Sequence, residues 1–137
     1  MRDTQPYELI NMLVSMTPSS SLAALDMSIK SLESCWKKNP SFSLESDFPF
    51  NDLHALKEVG ALNAAPPIEN TGLGLGHSPE GGCVLQNLLR TAGYRNLSLG
   101  RCLEGHINVL HLVYVYGPAQ KKSMFATQVN KGLLAGI

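Results

Sequence analysis

Leu97-Ser98-Leu99-Gly100-Arg101-Cys102-Leu103-Glu104-Gly105-His106-Ile107-Asn108-Val109-Leu110-His111-Leu112-Val113-Tyr114-Val115-Tyr116 is the stretch on which the fold of this chain turns. Wound at about 3.6 residues per turn, it is apolar around most of its circumference, the pattern of a helix buried on several sides. Arg101, Glu104, Asn108 and His111 recur at steps of three, four and three, so they share one narrow stripe. Such a stripe faces water, closes into ion pairs, or lines a cavity. The sequence leaves all three open.

The helical period continues outward on both sides. Toward the N-terminus, Ser78 and Pro79 open a helix whose buried face is Val84, Leu85, Leu88, Leu89 and Ala92, and Gly93 is expected to end it in a left-handed turn. Before it, Asn51 and Asp52 open another, with Leu53, Leu56, Val59 and Leu62 as its apolar face and Ala64-Ala65-Pro66-Pro67 as its stop. Leu22, Leu25, Ile29, Leu32 and Trp36 make a third stripe, closed by Lys37, Lys38 and Asn39-Pro40. The residues after Pro6 carry a fourth, with Leu9, Ile10, Leu13 and Val14 on one face. Residues 41–50 read as a loop whose Phe42, Phe48 and Phe50 tuck against the helices. Toward the C-terminus, Gly117-Pro118 resets the chain for a helix bearing Met124, Phe125 and Val129, which Gly132 closes. Residues 133–137 read as a strand that has barely begun. Five or six helices without a convincing strand pair predict an all-α domain, an up-and-down cluster.

Composition narrows the functions. At 137 residues the chain is one domain in size. Charged residues are 16% of it, well below the roughly 25% usual in soluble domains, which predicts surface meant to be covered. Lys plus Arg and Asp plus Glu balance at 11 each, so no net field draws nucleic acid or an anionic membrane. No run approaches the roughly 18 apolar residues of a membrane span, and the N-terminus lacks the apolar core of a signal peptide. A cytoplasmic protein is expected.

Elementary chemistry gives no catalytic constellation. Cys35, Cys83 and Cys102 form no C-x-x-C pair and read as reduced, packed thiols. His106 and His111 share a helix but point to different faces, so with His54 and His77 they read as ordinary histidines and not as a metal clamp. Gly72, Gly74 and Gly76 do not complete G-x-G-x-x-G, because Pro79 takes the third glycine's place and no strand precedes them. That loop is read as a tight crossing near another backbone.

One segment carries a resemblance. Gly93-Tyr94-Arg95-Asn96-Leu97-Ser98-Leu99-Gly100-Arg101-Cys102-Leu103-Glu104-Gly105-His106-Ile107-Asn108-Val109-Leu110 resembles the GRGNLSLGR…EGHVNAL stretch of a bacterial acyl-CoA dehydrogenase subfamily. Leu53-His54-Ala55-Leu56-Lys57-Glu58-Val59-Gly60, the loop Gly72-Leu73-Gly74-Leu75, and Tyr116-Gly117 followed by Ala119-Gln120-Lys121 fall in the matching order. The similarity runs over about residues 50 to 137; the central stretch is specific and the flanking landmarks are individually weak. The chain departs from the pattern at Asn70-Thr71, where relatives often show another glycine, and at Tyr94, where an arginine is usual.

The resemblance implies the N-terminal helical domain of a flavin enzyme that oxidises the α,β-bond of an acyl-CoA. In that family FAD lies mainly between a β-barrel-like middle domain, a C-terminal four-helix bundle and a neighbouring subunit, and the base that removes the α-proton belongs to the bundle. Residues 1–132 would be the helical domain and residues 133–137 the start of the β domain, a fragment inactive alone and holding no FAD by itself. The helix from Leu97 would wall the acyl pocket. Gly100 would let the acyl chain approach the backbone, Arg101 would stand near the tail, and Glu104 would shape the floor. Implied partners are the missing β and C-terminal helical domains, a full-length relative, or further copies of the chain in a homo-oligomer. The alternative is a non-catalytic helical module binding a full-length dehydrogenase or an apolar ligand.

Overall fold

Ser21 caps a helix: its hydroxyl accepts the Ala24 amide at 3.1 Å. The computed structural model describes residues 21–40 and 48–136. The stripe expected after Pro6, Phe42 and the final residue of the tail lie outside the described residues.

Helix α1 (Leu22–Lys38) buries Leu25, Ile29, Leu32 and Trp36, the residues its sequence period places on one face. It stops where the backbone N–H and the side-chain amide of Asn39 both donate to Cys35 O, each at 3.1 Å. Helix α2 (Phe50–Glu58) is shorter than its apolar spacing predicts. Gly60 takes φ 83°, and the line from Leu56 to Leu62 is completed by a 3-10 turn at Ala61–Asn63. The prolines at 66 and 67 come after the helix has already ended. Phe50, expected to tuck inward, is 71% exposed, because position 50 opens α2 on its outer side.

Residues 64–78 cross the molecule with a second 3-10 turn at Ile68–Asn70. Helix α3 (Pro79–Arg95) starts from Ser78, whose hydroxyl accepts the Gly81 amide at 3.0 Å. It does not end at Gly93. It runs to Arg95, and Asn96 serves both sides of the break: its N–H closes α3 on Ala92 O, and its side chain caps α4 at Leu99 N. Helix α4 (Leu97–Tyr116) turns back on α3, its main packing partner, while α1 lies against α3. Helix α5 (Ala119–Asn130) packs on α4 and on the 3-10 turn of residues 61–63. The described residues contain five α-helices and no strand, an all-α cluster. Residues 133–136 run on without forming a strand.

One apolar core unites these elements. Leu25, Leu56, Leu75, Leu88, Leu99, Leu103 and Leu110 are fully enclosed, each contributing roughly 1.5–3 kcal/mol by burial. Among the described residues one ion pair reaches this interior: Arg95 Nε donates to Asp52 at 2.9 Å, both side chains being only about a tenth exposed. Arg95 also donates to Asn39 O and lies over the Trp36 ring, with its guanidinium carbon 5.4 Å from the centroid. One side chain thus ties the end of α3 to α2 and to the end of α1.

Candidate functional site

The polar stripe of α4 divides in two. Arg101 pairs with Glu104 at 2.6 Å, largely in solvent, and with Asn108 the pair lines a groove of about 540 Å³ whose opposite wall is Leu134, Ala135 and Gly136. His111 instead turns inward, with Nε2 2.7 Å from Leu75 O.

Gly100 is absent from the groove. A Cβ built on it would lie 2.9 Å from Gly93 Cα, so the backbone that its missing side chain admits is that of α3. Of the three expected pocket residues, the fold brings Arg101 and Glu104 together at one rim and sets half-buried Gly100 against the backbone of α3. The ion pair cancels its own charge. An exposed pair of this kind is worth at most a few tenths of a kcal/mol, and the groove offers a ligand chiefly the Asn108 amide and the apolar edge of the C-terminal segment.

Histidines give the molecule its best-defined polar sites. His77 Nε2 lies 3.0 Å from Ala65 O, His106 Nε2 2.9 Å from Leu62 O, and His111 Nε2 2.7 Å from Leu75 O. A carbonyl only accepts, so each ring carries its proton on Nε2. All three acceptors belong to residues 62–75, and the rings of His77 and His111 meet edge to face at 4.8 Å. His106 is wholly enclosed and does more: its Nδ1 accepts the Ala135 amide at 2.9 Å. Burial holds its pKa below the ordinary histidine value, so the neutral ring is favoured. The sequence carried a signal for this residue: His106 falls in step with Leu99, Leu103 and Leu110, the buried line of α4. Among the described residues no three His, Cys, Asp or Glu gather as a metal site.

The glycine loop is a crossing, as its irregular spacing predicts. A Cβ at Gly72 would collide with the carbonyl of Pro66, and one at Gly81 would stand 2.7 Å from Gly74 O. The amides of Gly72, Leu73, Gly74 and Leu75 donate to Pro67, Ala64, Pro66 and Ala64 carbonyls. With those amides spent, the loop does not fit the pyrophosphate of a dinucleotide.

A cleft of about 520 Å³ between α1 and α3 is lined by Glu33, Trp36, Arg90, Tyr94 and Arg95. Its cations already have partners: Arg90 forks onto both oxygens of Glu33 at 3.2 and 3.3 Å, and Arg95 holds Asp52. Both guanidiniums are thus already paired with carboxylates. Thr91, also in the lining, keeps a buried hydroxyl without a hydrogen-bond partner among the described residues.

No helix of the described residues is long and apolar enough to cross a membrane. Comparison of the chain with protein-family models, with curated proteins and with solved structures finds no match.

Proposed function

We propose that this chain is the N-terminal helical domain of an acyl-CoA dehydrogenase-type flavoenzyme and contributes one wall of its acyl pocket. The observation that carries the reading is the resemblance over residues 93–110. An all-α architecture is compatible with such a domain. Further support comes from the outer side of α4, where Leu112, Val115 and Tyr116 are more than half exposed, surface of the kind that neighbouring domains cover. In this reading Arg101 and Glu104 stand at the rim of the pocket near the acyl tail, and Gly100 acts indirectly, by seating α4 on α3. FAD and the base that takes the α-proton would belong to the other domains of the complete enzyme, and the flavin would supply the hydride acceptor there. This chain's own part is to exclude water and shape the cavity.

The test is reconstitution. The chain is co-expressed with a polypeptide carrying the middle and C-terminal domains of such a dehydrogenase, and the complex is purified through a tag on the chain. A yellow complex that bleaches when an acyl-CoA is added without oxygen supports the reading. Failure of the two polypeptides to associate, or a rate of flavin reduction by acyl-CoA no greater than that of the flavin polypeptide alone, overturns it. Association with a full-length dehydrogenase without any effect on flavin reduction would favour a non-catalytic module instead.

A further inference from the structure

The last described residues lie across the molecule between two grooves. Leu134, Ala135 and Gly136 line the polar-rimmed groove of Arg101, Glu104 and Asn108 on one flank. On the other they line an apolar groove of about 350 Å³ formed by Val109, Met124, Phe125 and Gln128. Gly132, at φ 84°, turns the chain out of α5, with Gly132 N on Val129 O and Leu133 N on Gln128 O. Beyond Leu133, the polar tie that the segment makes among the described residues is the Ala135 N–H on His106 Nδ1. Leu133 is 54% and Leu134 38% exposed, so apolar packing holds the segment weakly.

We propose that residues 133–136 are a strap fastened by neutral His106, and that protonation of this ring releases the strap and joins the two flanking grooves into one. The geometry requires the first half of this. With Nε2–H committed to Leu62 O, Nδ1 is an acceptor; a proton added there makes it a donor facing another donor, the Ala135 amide. Among the described residues, no unpaired acidic group is found on the elements around the ring to compensate the new charge. The 3-10 turn at Ala61–Asn63 and the strap carry no titratable side chain, and α5 with the residue after it brings only Lys121, Lys122 and Lys131. From α2, Lys57 rests against Gly132. On α4 itself the groups are the Cys102 thiol, His111 on its carbonyl, and the Arg101–Glu104 pair, whose carboxylate is already taken. Release therefore occurs below about pH 6.5, the ordinary histidine value, since burial moves the ring's titration downward. The inference does not depend on the dehydrogenase reading.

Amide hydrogen exchange on the full chain tests it, with rates corrected for the intrinsic effect of pH. At pH 7.5 the Ala135 amide is expected to exchange about tenfold slower than an open amide, the protection that one modest hydrogen bond gives. As the pH is lowered below about 6.5 that protection is lost, while amides in the middle of α3 stay protected. In H106Q the side-chain amide still reaches toward Leu62 O but offers no Nδ1 acceptor, so Ala135 is unprotected at both pH values. In H106N an acceptor remains near the Nδ1 position and nothing titrates, so protection persists at both. Fast exchange of Ala135 in the wild type at pH 7.5, Ala135 protection that persists until the α3 amides themselves open, or an H106N chain that loses protection as the wild type does would each overturn the proposal.

Discussion

Gly100 sits so close to Gly93 that a methyl group on it would lie 2.9 Å from the Gly93 Cα, whereas a methyl on Gly93 would meet nothing within 4 Å. The relationship is one-sided. Gly93 supplies a bare backbone, and Gly100 must stay bare to lie on it. The obstacle at Gly100 is main chain, which cannot swing aside as a side chain would.

G100A is therefore expected to destabilise the fold by about 1–3 kcal/mol, the usual cost of forcing extra volume into a packed contact. G93A, in the interior of α3, is expected to stabilise it by about 0.5–1 kcal/mol, because alanine loses less backbone freedom on entering a helix. Urea titrations of the two variants decide the matter. Equal effects, or a tolerated G100A, would show that α3 and α4 do not cross as described.

That crossing also marks the limit of what the sequence could tell. Leu25, Ile29, Leu32 and Trp36 were legible because a helical period needs only local spacing. The Arg101–Glu104 pair was legible for the same reason, three residues apart on one helix. The end of α2 was not. Leu53, Leu56, Val59 and Leu62 keep a helical rhythm through Gly60, and only the left-handed turn at Gly60 shows that the last of them belongs to a 3-10 turn. Gly93 looked like a stop signal, yet the capping groups that end α3 and begin α4 are those of Asn96. That Gly100 lies against Gly93 was not legible, because no local pattern encodes how α3 approaches it. The pairing of Asp52 with Arg95, 43 positions apart, was equally out of reach.

Thr91 offers a test of the α1–α3 contact. Its hydroxyl is buried and makes no hydrogen bond among the described residues, so folding strips it of water without replacement by them. T91V replaces it with a methyl of similar shape. The variant is expected to gain about 1 kcal/mol, seen as a higher midpoint in thermal unfolding. A loss of stability would mean that the hydroxyl has a partner after all.

The pH dependence of stability follows from three shifted groups. His106 is held below its unfolded value by burial, so the unfolded chain takes up its proton first as the pH falls; stability is full above about pH 6.5 and declines below it. Asp26 is held low mainly by its hydrogen bond to Lys30, and Glu33 by those to Lys37 and then Arg90. Both contributions are present above about pH 4.5 and are lost as the pH falls further. These carboxylates are partly solvated surface groups, so their step is expected to be the smaller. Denaturation curves at intervals from pH 8 to 3 should show two stages. The gap between wild type and H106Q should narrow through the first stage and stay constant through the second. A gap independent of pH above pH 5 would show that His106 does not titrate with folding.

The outer side of α4 carries the last expectation. Leu112 is 52%, Val115 59% and Tyr116 81% exposed, and their spacing of three and one places them on a common face. A face that contributes little to the core can accept charge at little cost, whereas a face that joins molecules cannot do so and keep joining them. The double substitution L112K with V115K is accordingly expected to change folding stability by no more than about 0.5 kcal/mol for each site. If this face mediates self-association, the same variant should sediment as a monomer at concentrations where the wild type forms larger species. A large fall in thermal stability would assign Leu112 and Val115 to the core, and unaltered association would move the contact elsewhere on the surface. Stability and assembly respond independently here because burial within the chain and burial between chains draw on different residues of the same helix: Leu103, Ile107 and Leu110 inside, Leu112 and Val115 outside.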